Sequence, residues 1–352
     1  MSDHTDSAKD IRKGEELDHG KVEAFIRDVV PGLEGEMTIR QFPSGHSNLT
    51  YLIAFGSREM VLRRPPHGTK AKTAHDMNRE YRVLSALQPV YPYGPRPLAY
   101  TEDPSIMGCP FYLMERIKGV ILRRELPPGL TFSPRQVRQL FKELAKVHYA
   151  LHSVDYHQAG LADFGKPKGY VKRQVEGWSK RYRQARTPDA PDCEEVMNWL
   201  GENRPPESEK PGVIHNDFKF DNVVLDPEDQ MKIVGVLDWE MATLGDPIMD
   251  IGCSLGYWVE PNDPEEMQLI RFMPTHLEGA LTRKEMLRYY GQLSGCQIDH
   301  FEFYYCFGLF RLAVIVQQIY YRYYHGQTQD KRFKDFVGAV GILERAALRT
   351  IR

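Results

Sequence analysis

Apolar positions at 22, 25, 26 and 29 (Val22, Phe25, Ile26, Val29) recur three and four apart, the stripe of one helix face, and Pro31-Gly32 stops it. The period then shortens. Residues 37–42, 51–55 and 60–63 read as three strands, with turn chemistry at 44–48. A second helical pattern runs from Thr73, an expected N-cap, to Leu87, followed by a proline-rich loop at 89–97 and a further strand at 111–114. Beyond about residue 119 the texture is mostly helical. Ser133-Pro134 opens a helix striped by Val137, Leu140, Phe141, Leu144 and Leu151. Residues 170–186 form a strongly basic helix, a short third helix follows, and several helices fill 263–352. The expectation is an α+β chain of two lobes: a frayed tail at 1–18, a small antiparallel-sheet lobe with one main helix at 19–115, and a larger, mainly helical lobe at 116–352.

Bulk properties narrow the class without naming a function. A chain of 352 residues with 41% hydrophobic and 27% charged content is ordinary for a water-soluble globular protein. A formal net charge of -2 gives no global attraction to nucleic acid or anionic membrane. Five scattered cysteines, none spaced C-x-x-C, argue against a disulfide framework or structural zinc and fit a reducing, cytoplasmic setting. The N-terminal residues carry no apolar run of the kind a signal peptide needs. The stretch 301–324 is the most apolar, but Arg311, Gln317, Gln318 and Arg322 interrupt it, so a buried helix is expected rather than a membrane span.

The chemistry concentrates in residues 213–240, V-I-H-N-D-F-K-F-D-N-V-V-L-D-P-E-D-Q-M-K-I-V-G-V-L-D-W-E. Phosphoryl transfer asks a protein for positioning and charge neutralisation. Asp217 can steer an attacking hydroxyl, and Asn222, five residues on, offers a neutral oxygen to Mg²⁺. Asp238 and Glu240 are two apart on an expected strand, so alternation places both carboxylates on one face. An isolated H-x-D is a common turn sequence; H-x-D-x-x-x-x-N followed by a strand and D-x-E is much more specific.

With these residues in place, the chain resembles the aminoglycoside phosphotransferase/choline kinase superfamily, relatives of the protein-kinase fold. H-N-D-F-K-F-D-N resembles its H-G-D-x-x-x-x-N loop, L-D-W-E its metal-binding D-x-D/E, and G-D-P-I-M-D-I-G its G-D-P-x-x-D-L. S-G-H-S-N-L-T-Y, M-V-L-R-R-P-P, R-E-Y-R-V-L and F-Y-L-M-E-R-I-K-G resemble its nucleotide loop, third strand, first-lobe helix and hinge. The likeness is strongest to the kinase-like module fused to acyl-CoA dehydrogenases. The resemblance implies ATP and Mg²⁺ as co-substrate and cofactor. It makes Asp217 the catalytic base, Asn222 and Asp238 metal ligands, Glu240 a second-ion or water-mediated ligand, and Lys219 a neutraliser of the γ-phosphate. Ser47 and Asn48 would border the phosphates. Arg63 would stand where lysine is usual and pair with Glu80, and Met114, Glu115 and Ile117 would meet adenine. Asp250 and His215 would brace the catalytic loop. Three departures stand out: Arg63 for lysine, a single glycine in the nucleotide loop, and Asn216 for the glycine of H-G-D.

Some features stay open at this level. His148 and His152 lie four apart, but two ligands do not make a metal site, so core histidines are expected. The tyrosines of 304–324 read as packing before they read as an acceptor pocket. Residues 166–186 carry Lys166, Lys168, Lys172, Arg173, Lys180, Arg181, Arg183 and Arg186 against Glu176 alone, which fits a solvated face or a dock for an anionic acceptor such as a CoA thioester. The leading expectation is a small-molecule kinase acting on a hydroxyacyl-CoA or hydroxy acid, with a functional link to an acyl-CoA dehydrogenase. An aminoglycoside or amino-alcohol kinase is the alternative, and a catalytically weak pseudokinase module is the rival from another class. D-W-E in place of D-F-G, with no A-P-E segment, argues against a protein kinase.

Overall fold

The computed structural model describes residues 7–43, 48–66 and 76–352. In chain order its elements are α1 (His19–Val29), β1 (Met37–Gln41), β2 (Leu49–Phe55), β3 (Arg58–Arg64), α2 (Met77–Leu87), β4 (Pro97–Thr101), α3 (Pro104–Met107), β5 (Phe111–Glu115), α4 (Pro134–His152), α5 (Tyr170–Ala185) and α6 (Glu194–Glu202). There follow β6 (Gly212–Ile214), β7 (Val223–Leu225), β8 (Ile233–Val236), β9 (Thr243–Gly245), α7 (Pro247–Leu255), α8 (Glu265–Leu269), α9 (Arg283–Ser294), α10 (Phe301–Tyr324) and α11 (Phe336–Ile351). They divide into two compact units, one of Met1–Ile121, Ala159–Leu161 and Val224–Ala242, the other of Leu122–Gln158, Ala162–Val223 and Thr243–Arg352.

The first unit is built on an antiparallel five-stranded sheet in the order β1-β2-β3-β5-β4. Strand alternation sends Tyr51, Ile53, Phe55, Met60, Leu62, Phe111 and Leu113 into one core, where Val22 and Ile26 of α1 meet them. Asp18 caps α1 by accepting from the Lys21 N–H. α2 begins at Met77 with Asp76 as its cap, so the expected cap, Thr73, lies outside the described residues. β4 occupies a stretch not expected to be a strand; Pro97 starts it at the sheet edge, where a missing N–H is tolerated. Residues 7–18 are not a frayed tail. Lys9 bridges to Gln41 of β1, Ala8 is buried, and Tyr51 Oη donates to the Glu15 carbonyl at 2.7 Å.

Val224–Ala242 belongs to this first unit by contact, so a single cut after residue 115 does not describe the division. β8 pairs with β7, and Val120 and Leu225 exchange backbone hydrogen bonds of 2.9 and 2.8 Å. The approach is close because residue 119 is glycine: a Cβ there would lie 2.1 Å from the Leu225 carbonyl oxygen. After β8, Trp239 anchors the chain, its Nε1 donating to the Val236 carbonyl at 2.8 Å and its ring meeting Tyr91 edge-on.

The second unit is helical. α4 starts with a complete capping box between Ser133 and Gln136 and buries the face headed by Val137, Leu140, Phe141 and Leu144. α10 runs through the interior. By length and composition it could cross a bilayer, but 83% of its apolar window is buried inside the protein, as expected of a core helix. Its tyrosines 304, 305 and 320 are buried packing residues, and Tyr320 also donates to Asp189 at 2.6 Å. Glycines bring α7 and α10 into backbone contact: a Cβ on Gly308 would sit 2.0 Å from the Gly252 carbonyl oxygen. The short β6–β9 ladder pins the chain on either side of the catalytic-loop motif.

Candidate active site

In the second unit the loop after β6 carries Asp217. Asn216, in place of the usual glycine, adopts φ 64°, a conformation asparagine tolerates better than most residues. α7 holds the loop from below. Asp250 Oδ2 accepts from the His215 N–H and Oδ1 from the Asn216 N–H, both at 2.7 Å. His148 Nε2 and His152 Nε2 reach the same carboxylate at 3.0 and 3.1 Å. Burial works against the charge of Asp250, yet the imidazoles of His148 and His152 hold its carboxyl well below the usual range. Burial, and then the neighbouring His152, drop His148 to about 4. The three side chains are close enough to look like a metal group. The Asp250 oxygens are already engaged by four donors, however, and His152 Nδ1 by Tyr290 Oη at 2.7 Å, so this is a structural bracket. His215 is buried behind the loop, its Nδ1 accepting the Asp217 N–H at 3.2 Å.

Asp217 itself is laced on both oxygens. Lys219 Nζ at 2.7 Å and Asn222 Nδ2 at 2.8 Å reach Oδ2, and Tyr257 Oη donates to Oδ1 at 2.9 Å. Burial pushes its pKa up, but the Lys219 ammonium, with Arg311 and His215 beside it, holds it below the ordinary carboxylate value, so the group is ionised at neutral pH. Lys219 does not stand free toward solvent: it pairs with Asp217 and lies 4.5 Å over the Tyr257 ring. Asn222 also donates Nδ2 to the Asp217 carbonyl at 2.8 Å, which leaves its Oδ1 as the oxygen available to other partners.

The first unit holds the other cluster. Arg63, on β3 and only 8% exposed, reaches Asp238 Oδ1 with Nη2 at 2.9 Å and Glu240 Oε2 at 3.7 Å, with Nε 3.5 Å from Glu80 Oε2. Burial opposes the charge of Arg63, but Glu80, then Tyr112, Asp238 and Glu240, raise it well above its ordinary pKa. Glu80 is raised by burial, against the pull of Arg63, and Tyr112 Oη donates to it at 2.8 Å. Asn48, expected to offer its side chain to phosphate, instead donates Nδ2 to Glu80 and Glu240, each at 3.0 Å. Asp238 and Glu240 do converge, but not by strand alternation. β8 ends at Val236, Asp238 turns through φ 66°, and Glu240 sits in a 3₁₀ turn, Trp239–Met241. Met114 and Glu115 end β5, and Glu115 pairs with Arg96. Ile117 packs over bare Gly235, where a Cβ would meet it at 2.8 Å. Ser47 lies outside the described residues.

Three residues were not singled out beforehand as part of the site. Tyr257 and Ser254 both come from the α7 segment; Ser254 Oγ donates to the Phe218 carbonyl at 2.7 Å. Arg311 is the third, buried in α10 and among the charges that lower the Asp217 pKa. On α5 much of the positive charge has local partners: Arg173 bonds the carbonyls of Lys166 and Lys168, and Arg183 pairs with Glu194 at 2.6 Å.

Residues 38–277 match the phosphotransferase enzyme family. Acyl-CoA dehydrogenase family member 10 of Mus musculus is 35% identical over 326 residues, which is 92% of this chain and 30% of that protein. The chain spans less than half the length of the curated relatives it matches. A crystal structure from Ralstonia eutropha, provisionally named an aminoglycoside phosphotransferase, superposes with a TM-score of 0.80 at 30% identity, covering 96% of this chain and 98% of that one. Choline kinase of Cryptosporidium parvum shares the fold, with a TM-score of 0.62 at 14% identity over 95% of each chain. The class is that of the small-molecule kinases with a protein-kinase-like α+β fold. Within it, the chain belongs to the phosphotransferase enzyme family.

Proposed function

We propose that the protein transfers the γ-phosphoryl group of ATP to the hydroxyl of a small molecule, with Mg²⁺, and that a hydroxyacyl-CoA or hydroxy acid is the acceptor. The observation that carries the reading is Asp217: a part-buried carboxylate kept ionised, with Asn222 fixed against it. In the reaction the acceptor oxygen bonds to the γ-phosphorus, the bond from that phosphorus to the bridging oxygen breaks with its electron pair leaving on ADP, and the acceptor proton passes to Asp217. The first unit is the nucleotide-binding part and the second carries the base and the acceptor site. Met114, Glu115 and Ile117 are assigned to adenine, and Ser47 and Arg63 to the phosphate end, with Glu80 holding Arg63 and Asn48 holding Glu80.

Asp238, Glu240 and Asn222 are the residues assigned to Mg²⁺. The chemistry of the residues suits a hard cation: Asp238 and Glu240 of the first unit offer carboxylate oxygens that meet at one guanidinium nitrogen, and Asn222 of the second unit offers a neutral carbonyl oxygen. When bound, Mg²⁺ supplies neutralisation of phosphate charge. Lys219 is assigned to the transferred phosphoryl group through its contact with the base.

Support for the acceptor comes from relatives named as acyl-CoA dehydrogenase family members and from the cations of α5, several of which already have local partners. The same relatives support a functional link to an acyl-CoA dehydrogenase. Arg63, tied to three carboxylates, favours a second reading: a nucleotide-binding module of low activity. The test is a screen with γ-labelled ATP across hydroxyacyl-CoAs, hydroxy acids, amino alcohols and aminoglycosides. Label on a hydroxyacyl-CoA or hydroxy acid is expected. Label confined to aminoglycosides or amino alcohols overturns the acceptor, and nucleotide binding with no transfer supports the second reading.

A further inference from the structure

The α7 segment reads the catalytic loop with one face. Asp250, Ser254 and Tyr257 are spaced i, i+4 and i+7, so they line up along the helix and its C-terminal extension. Asp250 accepts from the N–H groups of His215 and Asn216, Ser254 Oγ donates to the Phe218 carbonyl, and Tyr257 Oη donates to the Asp217 side chain. Two of these contacts set the loop backbone. The third alone touches the reactive carboxylate.

An ionised carboxylate offers about four lone-pair positions, two on each oxygen. On Asp217, Lys219 and Asn222 fill both positions of Oδ2, and Tyr257 fills one of Oδ1. Among the described residues Oδ1 carries one donor against two on Oδ2, so it is the less occupied oxygen and the one with a position left. We infer that Tyr257 is a positioning residue that leaves Oδ1 as the oxygen receiving the acceptor proton and places the acceptor hydroxyl beside its own phenol. This rests on the assignment of Asp217 as the base.

The surroundings fit a fixed phenol. Tyr257 is 7% exposed, and its ring has Lys219 4.5 Å above it and Phe272 edge-on at 6.1 Å. The side chain therefore does two separable things: its ring carries Lys219, and its hydroxyl orients Asp217. Tyr257→Phe keeps the first and removes the second, whereas Tyr257→Leu removes both. Without the hydroxyl, Oδ1 has two open positions, and the acceptor oxygen is no longer confined to one approach.

Two measurements decide the matter. A double-mutant cycle of Tyr257→Phe and Asp217→Ala, read by urea unfolding, reports the hydrogen bond without any need for turnover; non-additive stabilities are expected, and strict additivity overturns the inference. Mg²⁺-dependent ATP hydrolysis, with water as the acceptor, reports the consequence. Tyr257→Phe is expected to lower kcat about 10-fold, as loss of a hydrogen bond to a charged group implies, with KM for ATP unchanged. Tyr257→Leu is expected to lower it further. A Phe variant with wild-type kcat, beside an inactive Asp217→Asn enzyme, overturns the positioning role and leaves the base assignment standing. Wild-type hydrolysis by Asp217→Asn overturns the base assignment, and this inference falls with it.

Discussion

Replacing Asp250 by asparagine is the sharpest test of how the loop is held. The carboxylate is wholly buried and accepts four hydrogen bonds, two from backbone N–H groups at 2.7 Å and two from imidazoles at 3.0 and 3.1 Å. Asparagine has one carbonyl oxygen and one NH₂ group in their place. If the oxygen serves the three donors on the Oδ2 side, the NH₂ confronts the Asn216 N–H, donor against donor. That buried mismatch costs roughly 1–3 kcal/mol. The remaining three bonds lose their charge assistance, which adds about 2 kcal/mol. The expected loss is therefore about 3–5 kcal/mol, the range for breaking a buried charged network. At about 2 °C per kcal/mol for a large domain, the melting temperature should fall by 6–10 °C. Asn216 is held at positive φ by the same carboxylate, so the loop should shift and turnover should fall about 100-fold, as for an ångström-scale misplacement. Urea unfolding and labelled-ATP transfer measure the two effects. A destabilisation below about 1 kcal/mol with unaltered transfer would refute the reasoning.

Further outcomes follow from other contacts. His148 has a folded pKa near 4 against an ordinary 6.5, so the unfolded chain takes up a proton that the folded one refuses. Stability is therefore complete above 6.5 and falls by up to about 3 kcal/mol as pH drops toward 4, while Asp250, held well below its ordinary 3.8, adds a further loss only below that value; a flat urea midpoint between 6.5 and 4 would contradict it. Arg63→Met leaves the buried Glu80 without its cation and should cost about 3–5 kcal/mol, partly recovered in Arg63→Lys, as read by thermal unfolding. Gly308→Ala drives a methyl into the α7 backbone and should cost about 1–3 kcal/mol or more, whereas Gly338→Ala, with open space around it, should be neutral or slightly stabilising. Equal effects from the two would discredit the close α7–α10 contact.

What could be read from the chain alone was the local part. Periodicity and caps place α1, α4 and most of the five-stranded sheet, because those signals lie within a few residues of each other. The H-x-D-x-x-x-x-N loop and the G-D-P-x-x-D segment are legible for the same reason. Alternation failed at Asp238 and Glu240: the strand stops two residues early, and a left-handed residue followed by a 3₁₀ turn aims both side chains at Arg63. Tyr257 and Arg311 were missed because each is distant from Asp217 in sequence. A signal for Tyr257 was present, since it falls seven residues after Asp250 on the stripe that also carries Ser254. Arg311 had a weaker one, a cation in the middle of an otherwise apolar helix. Residues 7–18 look polar enough to fray, yet Ile11 and Leu17 pack against the first core and hold the segment down.

The central claim is that Asp217 receives the acceptor proton during phosphoryl transfer. Its most direct test is turnover of γ-labelled ATP by the Asp217→Asn variant beside nucleotide affinity measured on the same sample. Transfer should fall about 10²–10⁴-fold, the range for losing a general base, with nucleotide affinity within about twofold of wild type. Transfer at the wild-type rate would contradict it.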